Sequence, residues 1–156
     1  KELLNALDKF PDIRIIFTLP AFDIGSDTII NEMKKFTKKN KNSVFFVSLG
    51  SKNYLSILKH VDLLIGNSSS GLIEAPIVGT KVINIGQRQD GRIRPKGIIN
   101  IKCKENLIIK TIKRTLMKKI KYNHIYPNIR SSNRFIKIVE NLNLRNSLKK
   151  TFVDLK

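Results

Sequence analysis

The sequence predicts an α/β fold of the Rossmann-like kind, a doubly wound parallel sheet. Short apolar, β-branched runs alternate with segments of helical period. The runs lack polar alternation, which is the pattern of strands buried on both faces. Glycine- and hydroxyl-rich turns stand at the ends of the runs, where open parallel sheets bind ligands.

Each element has its own signal. The first nine residues read as helix, with Leu3, Leu4 and Leu7 on one face. Ile13 to Leu19 is a β-branched run and the first expected strand. Asp27 to Lys39 carries Ile29, Ile30, Met33 and Phe36 as a helical stripe. Val44 to Val47 reads as a compact strand, and Tyr54 to Leu58 as a short helix. Asp62 to Ile65 is expected as a strand, and Leu72 to Val78 as a helix closed by Gly79. Lys81 to Ile85 and Gly97 to Ile101 are the remaining strands. Glu105 to Ile120 and Ser132 to Leu144 are longer helices. The loops from Leu19 to Ser26 and from Tyr122 to Ser131 are turn-rich, and the chain beyond Leu144 is polar and basic.

The chain of 156 residues fits one compact domain, and its 41% hydrophobic content suffices for a core. It starts at Lys1 already in helix, so entry into the middle of a larger protein is expected. No apolar run reaches the roughly 18 residues of a membrane span, and no signal peptide is visible. Cys103 is the single cysteine, which excludes an internal disulfide and a multi-cysteine metal site; it is expected as a packed residue after a buried strand. These features fit a cytoplasmic protein without a membrane partner. The net charge of +18 raises a nucleic-acid-binding reading. The lysines are scattered, however, apart from clusters at Lys34–Lys41, Lys110–Lys121 and the tail, and no RNA-binding aromatic signature or zinc-finger spacing is present. The joint richness in Ile, Asn and Lys is the bias of an AT-rich genome, and the charge reads as solvated surface with no specific nucleic-acid partner.

Two turns carry the chemistry. Gly66-Asn67-Ser68-Ser69-Ser70-Gly71 follows an apolar run and precedes a helix. Backbone N–H groups and small hydroxyls at such a place suit a phosphate. Gly86-Gln87-Arg88-Gln89-Asp90-Gly91-Arg92-Ile93-Arg94 follows the next strand, and its guanidinium groups suit bidentate contact with phosphate or carboxylate. Together they describe a seat for a phosphorylated ligand.

The segments GNSSSGLIEAP, NIGQRQDGRIR and SLGSKNYLSILKHVDLLIGNSSSG resemble the C-terminal half of hydrolysing UDP-N-acetylglucosamine 2-epimerases of the sialic-acid type. The likeness runs from about Leu3 to Ile101; beyond it only the pattern of helix, loop and returning helix agrees. It implies a glycosyltransferase-B-like architecture, in which two Rossmann-like domains close on a nucleotide sugar. Residues 1–143 are then part of the second, nucleotide-binding domain, residues 144–156 are a basic tail, and the N-terminal domain is a missing partner. The resemblance also implies a homo-oligomer in the full protein and no nicotinamide or metal cofactor. In such enzymes a base takes the sugar C2 proton, UDP leaves by elimination, and water adds to the unsaturated sugar. Their acid and base carboxylates lie mainly in the first domain, so no catalytic residue is assigned here. His60 and His124 do not match the family's histidine-containing loop.

Residue by residue, the resemblance places Ser68 and Ser69 on the diphosphate and Glu74 on the ribose hydroxyls. It brings Arg88 to the nucleotide, and Ser48 to Gly50 and Tyr54 to the base. Plainer roles exist for each: a serine is an ideal helix cap, a first-turn glutamate complements the helix dipole, an arginine sits easily on a surface, and a tyrosine packs. Arg92 and Arg94 are expected either at the ligand or against the missing domain. Many relatives have asparagine where Ala21 stands, which leaves the base and sugar preference open between a UDP-sugar and the GDP-sugar of legionaminic-acid pathways. A glycosyltransferase half of the same architecture and a basic nucleic-acid-binding module are the other readings.

Overall fold

The computed structural model describes residues 1–20, 25–122 and 131–142. Its contacts divide the chain into two units, Lys1–Ile125 and Tyr126–Lys156. In the first unit the elements run α1 (Glu2–Leu7), β1 (Ile15–Thr18), α2 (Ser26–Lys39), β2 (Ser43–Phe46), α3 (Gly50–His60) and β3 (Leu63–Gly66). A 3₁₀ turn at Ser69–Gly71 leads into α4 (Glu74–Val78), then β4 (Lys81–Ile85), β5 (Ile99–Ile101) and α5 (Glu105–Leu116). The fold is α/β and Rossmann-like, as expected. All its strand pairs are parallel, and they form two ladders, β1–β2 and β3–β4–β5. Ile15 stands opposite Ser43, Leu63 opposite Lys81, and Ile83 opposite Ile99.

Two apolar clusters hold this unit. The larger joins Ala6 and Leu7 of α1, Ile15 of β1, Phe36 of α2, Ile83 and Ile85 of β4, and Ile108 and Ile112 of α5. Phe17 meets Phe36 edge-on, ring centroids 5.6 Å apart at 83°, a favoured aromatic geometry. The smaller joins Leu58 of α3, Ala75 of α4 and Val82 of β4, with Tyr54, Leu64 and Tyr122 against them. Ile83 and Val82 face opposite clusters because successive strand residues point to opposite faces. Helices therefore cover both faces of the three-stranded ladder, which is what doubly wound means.

Local chemistry sets the ends of the elements. α2 has Asp27 in its first turn and Lys38 and Lys39 in its last, each complementing the helix dipole. α5 has no side-chain cap of its own, and its first amide, that of Glu105, donates instead to Glu2 Oε2 at 2.7 Å. Asn42 Nδ2 fastens the approach to β1 by donating to the carbonyls of Phe10, Pro11 and Ile13. α4 closes at Gly79, φ +85°, with the amide of Thr80 donating to Ala75 O at 2.9 Å; a side chain there would strain the backbone.

Several details differ from the sequence reading. α5 ends at Leu116 rather than Ile120, and β5 starts at Ile99 rather than Gly97. α3 is longer, starting at Gly50, because the polar residues ahead of Tyr54 continue the helix on its exposed side. The helix expected from Leu72 is broken into the 3₁₀ turn and α4. β1 and β2 bury only one face, leaving Ile16, Val44 and Phe46 exposed, whereas β4 is buried from Val82 to Ile85. In addition Cys103 is an exposed free thiol rather than a packed residue. The second unit contributes α6 (Ser131–Glu140), none of whose residues is buried. α6 ends at Glu140, short of the expected Leu144, with Asn141 and Leu142 outside the helix. The basic tail, Ala21 and His124 lie outside the described residues.

Candidate functional site

The site forms where β3 and β4 end. β3 stops at Gly66, and the chain turns at once into the 3₁₀ segment. Ser68 caps it, its Oγ accepting from the amide of Ser70 at 3.3 Å. The amide of Gly71 donates to Ser68 O, and those of Leu72 and Ile73 donate to Ser69 O. These amides are therefore committed inside the turn. The turn also offers hydroxyl to a ligand: Ser68 is exposed and Ser69 half-buried. Gly71 lets the turn lie close on the sheet, since a Cβ there would come within 3.1 Å of Val82 Cγ1. Leu72 and Ala75 behind it are fully packed.

Ser70, the buried member of the serine run, is used structurally. Its hydroxyl and that of Tyr54 on α3 lie 2.5 Å apart, bound to each other. Tyr54 thus packs and hydrogen-bonds at the serine turn in one role. Ser48 Oγ accepts from the amide of Gly50 at 3.2 Å, so this hydroxyl caps the start of α3.

Glu74 opens α4, directly after the turn. Its Oε2 is buried and has no hydrogen-bond partner among the described residues. A buried acceptor left so costs about 1–3 kcal/mol, more when charged, and a ligand hydroxyl would relieve that cost.

The second turn is tied to the first through one backbone atom. Arg88 Nη1 donates to the carbonyl of Asn67 at 3.2 Å, and Gln89 Nε2 donates to the same oxygen at 2.7 Å. Arg88 is exposed, whereas Gln89 is 1% exposed. Arg94 does something different. Its guanidinium bonds Asp90 Oδ1 at 2.5 Å, Gln89 O at 3.3 Å and Asn100 Oδ1 at 3.1 Å, bracing the loop from within. Asn84 Nδ2 joins this brace through Asn100 Oδ1 at 2.9 Å. Arg92 is exposed and takes no part in this brace among the described residues.

The structure therefore gathers Ser68, Ser69, Glu74, Tyr54 and Arg88 around the serine turn and keeps Arg94 for the loop itself. Asn67, Ser70 and Gln89 were not singled out from the sequence. Nothing in a lone glutamine signals burial; only the tertiary contact with Asn67 reveals it. Among the described residues no group of three or more His, Cys, Asp or Glu is placed to hold a metal ion, and no helix is long and apolar enough to cross a membrane.

Comparison with known proteins places the chain in a family. The family model described as UDP-N-acetylglucosamine 2-epimerase matches residues 1–140. The chain is 41% identical to the polysialic acid biosynthesis protein P7 of Escherichia coli over 71% of its own length and 28% of the relative. It is 37% identical to the GDP/UDP-N,N'-diacetylbacillosamine 2-epimerase (hydrolyzing) of Campylobacter jejuni, covering 99% of this chain and 42% of that one. A UDP-N-acetylglucosamine 2-epimerase of Neisseria meningitidis is 30% identical over 90% of the chain and 38% of the relative. The chain thus spans less than half the length of each of these proteins. With its matched span running through both turns of the site, the chain belongs to the UDP-N-acetylglucosamine 2-epimerase family.

Proposed function

We propose that this chain forms the nucleotide-binding part of a hydrolysing nucleotide-sugar 2-epimerase acting on UDP-N-acetylglucosamine. The observation that carries the reading is the junction of the two turns, with Arg88 and Gln89 both bonded to Asn67 O. It sets the exposed Arg88 guanidinium at the turn that carries the exposed Ser68 and half-buried Ser69 hydroxyls, a combination suited to a diphosphate. Glu74, with its unpartnered Oε2, then accepts from the ribose diol. Tyr54 and the Ser48–Gly50 segment border the base.

In the reaction, removal of the C2 proton is coupled to cleavage of the bond between C1 and the diphosphate oxygen, so UDP leaves with the bonding electrons. Water then adds across the C1–C2 double bond, hydroxyl to C1 and a proton to the opposite face of C2, giving N-acetylmannosamine. The residues described here bind and orient the leaving group. Proton transfer at C2 belongs to groups outside them.

A second reading, a GDP-linked substrate, has the name of the Campylobacter relative behind it. Titration of the chain with UDP, GDP and uridine separates the two. UDP is expected to bind more tightly than GDP and uridine. A preference for GDP beyond about tenfold, or ~1.4 kcal/mol, would move the assignment to the GDP-sugar enzymes. Strong, salt-dependent binding of any RNA oligonucleotide with no saturable response to UDP would favour a nucleic-acid-binding module instead.

A further inference from the structure

We propose that the end of the β3–β4–β5 ladder away from the two turns is a docking surface for an anionic phospholipid bilayer. These strands run parallel, so they start together at the end opposite the serine and arginine turns. Three bonds gather other parts of the chain at the start of β4. Thr80 Oγ1 donates to Leu58 O near the end of α3. Lys81 Nζ donates to Leu116 O, at the end of α5, at 2.8 Å. The Tyr122 hydroxyl donates to Thr80 O at 2.9 Å and ties down the segment that follows α5.

The charge gathered there is one-sided. Lys59 lies in the last turn of α3, and Lys113, Arg114, Lys118, Lys119 and Lys121 lie at or just past the end of α5. All six are exposed, and among the described residues none of them is in an ion pair. From Leu58 to Leu63 the only carboxylate is Asp62, and from Asn106 to Tyr122 there is none.

Basic residues in a last helical turn complement the helix dipole. That role suffices for Lys59, Lys113 and Arg114. It does not extend to Lys118, Lys119 and Lys121, which lie beyond α5. Nor do these three stand on a loose tail. Tyr122 packs against the smaller cluster, and a Cβ at Gly97 would come within 3.0 Å of its ring and 3.2 Å of Ile120. The lysines are therefore held on a fixed surface. Sequence alone spreads the six cations from Lys59 to Lys121 and reads them as solvated surface; the fold collects them.

Met117 identifies the partner. It is 90% exposed, the most exposed large apolar residue among those described, and Arg114 and Lys118 flank it. An apolar side chain among cations suits the surface of an anionic bilayer. The charges meet lipid phosphates while the side chain enters the boundary between headgroups and acyl chains. Nucleic acid fits less well. Single strands are held on exposed aromatic rings that stack with bases. The one ring of this segment, that of Tyr122, is half-buried with its hydroxyl bonded to Thr80 O. Five of the six cations are lysines, point charges without the planar fork that reads base edges. A bilayer here leaves the opposite end, with Gly66 and Gly86, open to ligand. The surface itself does not depend on the nucleotide reading.

The test is cosedimentation of the chain with vesicles of phosphatidylcholine, alone or mixed with phosphatidylglycerol. Binding is expected to the mixed vesicles only, and it should weaken as salt is raised. Lys118→Glu combined with Lys119→Glu should weaken it about tenfold or more. The same change of charge at Lys102 and Lys104, exposed residues ahead of α5 at the other end, should cost less than about threefold. A second measurement needs no change of charge. A polarity-sensitive dye on Cys103, an exposed thiol ahead of α5, should stay in water. The same dye on Met117→Cys in a Cys103→Ser chain should shift to the blue on the mixed vesicles. If the double variant does not fold, the two dye positions decide alone. No binding to mixed vesicles, equal losses in the two charge variants, or equal shifts at both dye positions would overturn the proposal. So would tighter binding of an oligouridylate that is lost with Lys118 and Lys119 and unchanged in Met117→Ser, for the surface would then belong to nucleic acid.

Discussion

The carbonyl oxygen of Asn67 accepts from two side chains of another loop, Arg88 at 3.2 Å and Gln89 at 2.7 Å. The buried glutamine gives the fixed contact, and the exposed arginine keeps donors available for a ligand. This division sets what each arginine does when removed. Arg88→Ala is expected to weaken UDP about tenfold or more relative to uridine, since a charge-assisted hydrogen bond contributes roughly 1.5–3 kcal/mol. Calorimetric titration of both ligands checks it, and equal losses would place Arg88 away from the diphosphate. Glu74 calls for a different comparison. Its Oε2 lacks a partner among the described residues, so Glu74→Gln should weaken UDP while leaving its 2′,3′-dideoxy analogue nearly unchanged. The amide keeps one acceptor and brings a donor with nothing to bond. Equal weakening of the analogue would mean that the carboxylate acts through the stability of α4.

At the scale of elements, the contact of Tyr122 with the start of β4 is sensitive to pH. Its hydroxyl donates to Thr80 O at 2.9 Å, and Thr80 Oγ1 in turn bonds Leu58 O on α3. Burial pushes the Tyr122 hydroxyl from 10.0 up to about 12, against a smaller opposing hydrogen bond from the Val82 backbone. A raised folded value means that the contribution is intact below pH 10 and is lost as pH climbs toward about 12, where the unfolded chain ionises first. Denaturant midpoints measured across that window should fall less steeply for Tyr122→Phe than for the natural chain; parallel slopes would exclude the tyrosine as the cause. Much of this level was legible in the sequence. Lys81 to Ile85 is the observed β4 to the residue, because the β-branched Val82, Ile83 and Ile85 stand between two chain-turning glycines, Gly79 and Gly86. Asp27 to Lys39 differs from α2 only at Ser26. The 3₁₀ break at Ser69–Gly71 was hidden, since a serine run suits a cap and a helix alike. The clustering of Ser68, Glu74 and Arg88 was expected from strand ends. The pairing of Tyr54 with Ser70 and the burial of Gln89 depend on neighbours distant in sequence and leave no local signature.

For the whole molecule, the expectation is that this chain binds a nucleotide without turning over the sugar. Of the carboxylates in the two turns, Asp90 is engaged by Arg94 at 2.5 Å and Glu74 is placed for the ribose. Elimination and hydration need proton transfer at the sugar C2, and neither group is free for it. Incubation of the pure chain with UDP-N-acetylglucosamine should release no UDP; steady release would show that the chain contains its own acid and base. The cap on α5 has a further meaning when the fold is viewed in time. Glu2 and Glu105 are 103 positions apart. At a synthesis rate of about 5–20 residues per second, the second partner emerges on the order of 5–20 s after the first. Through that interval α1 is a single and a half turn of helix with three leucines and nothing to cover them, and a helix so short does not persist alone. Of the elements described here α1 is made first and is among the last to settle, and on the nascent chain its greasy face stays open to any chaperone until α5 arrives to claim it.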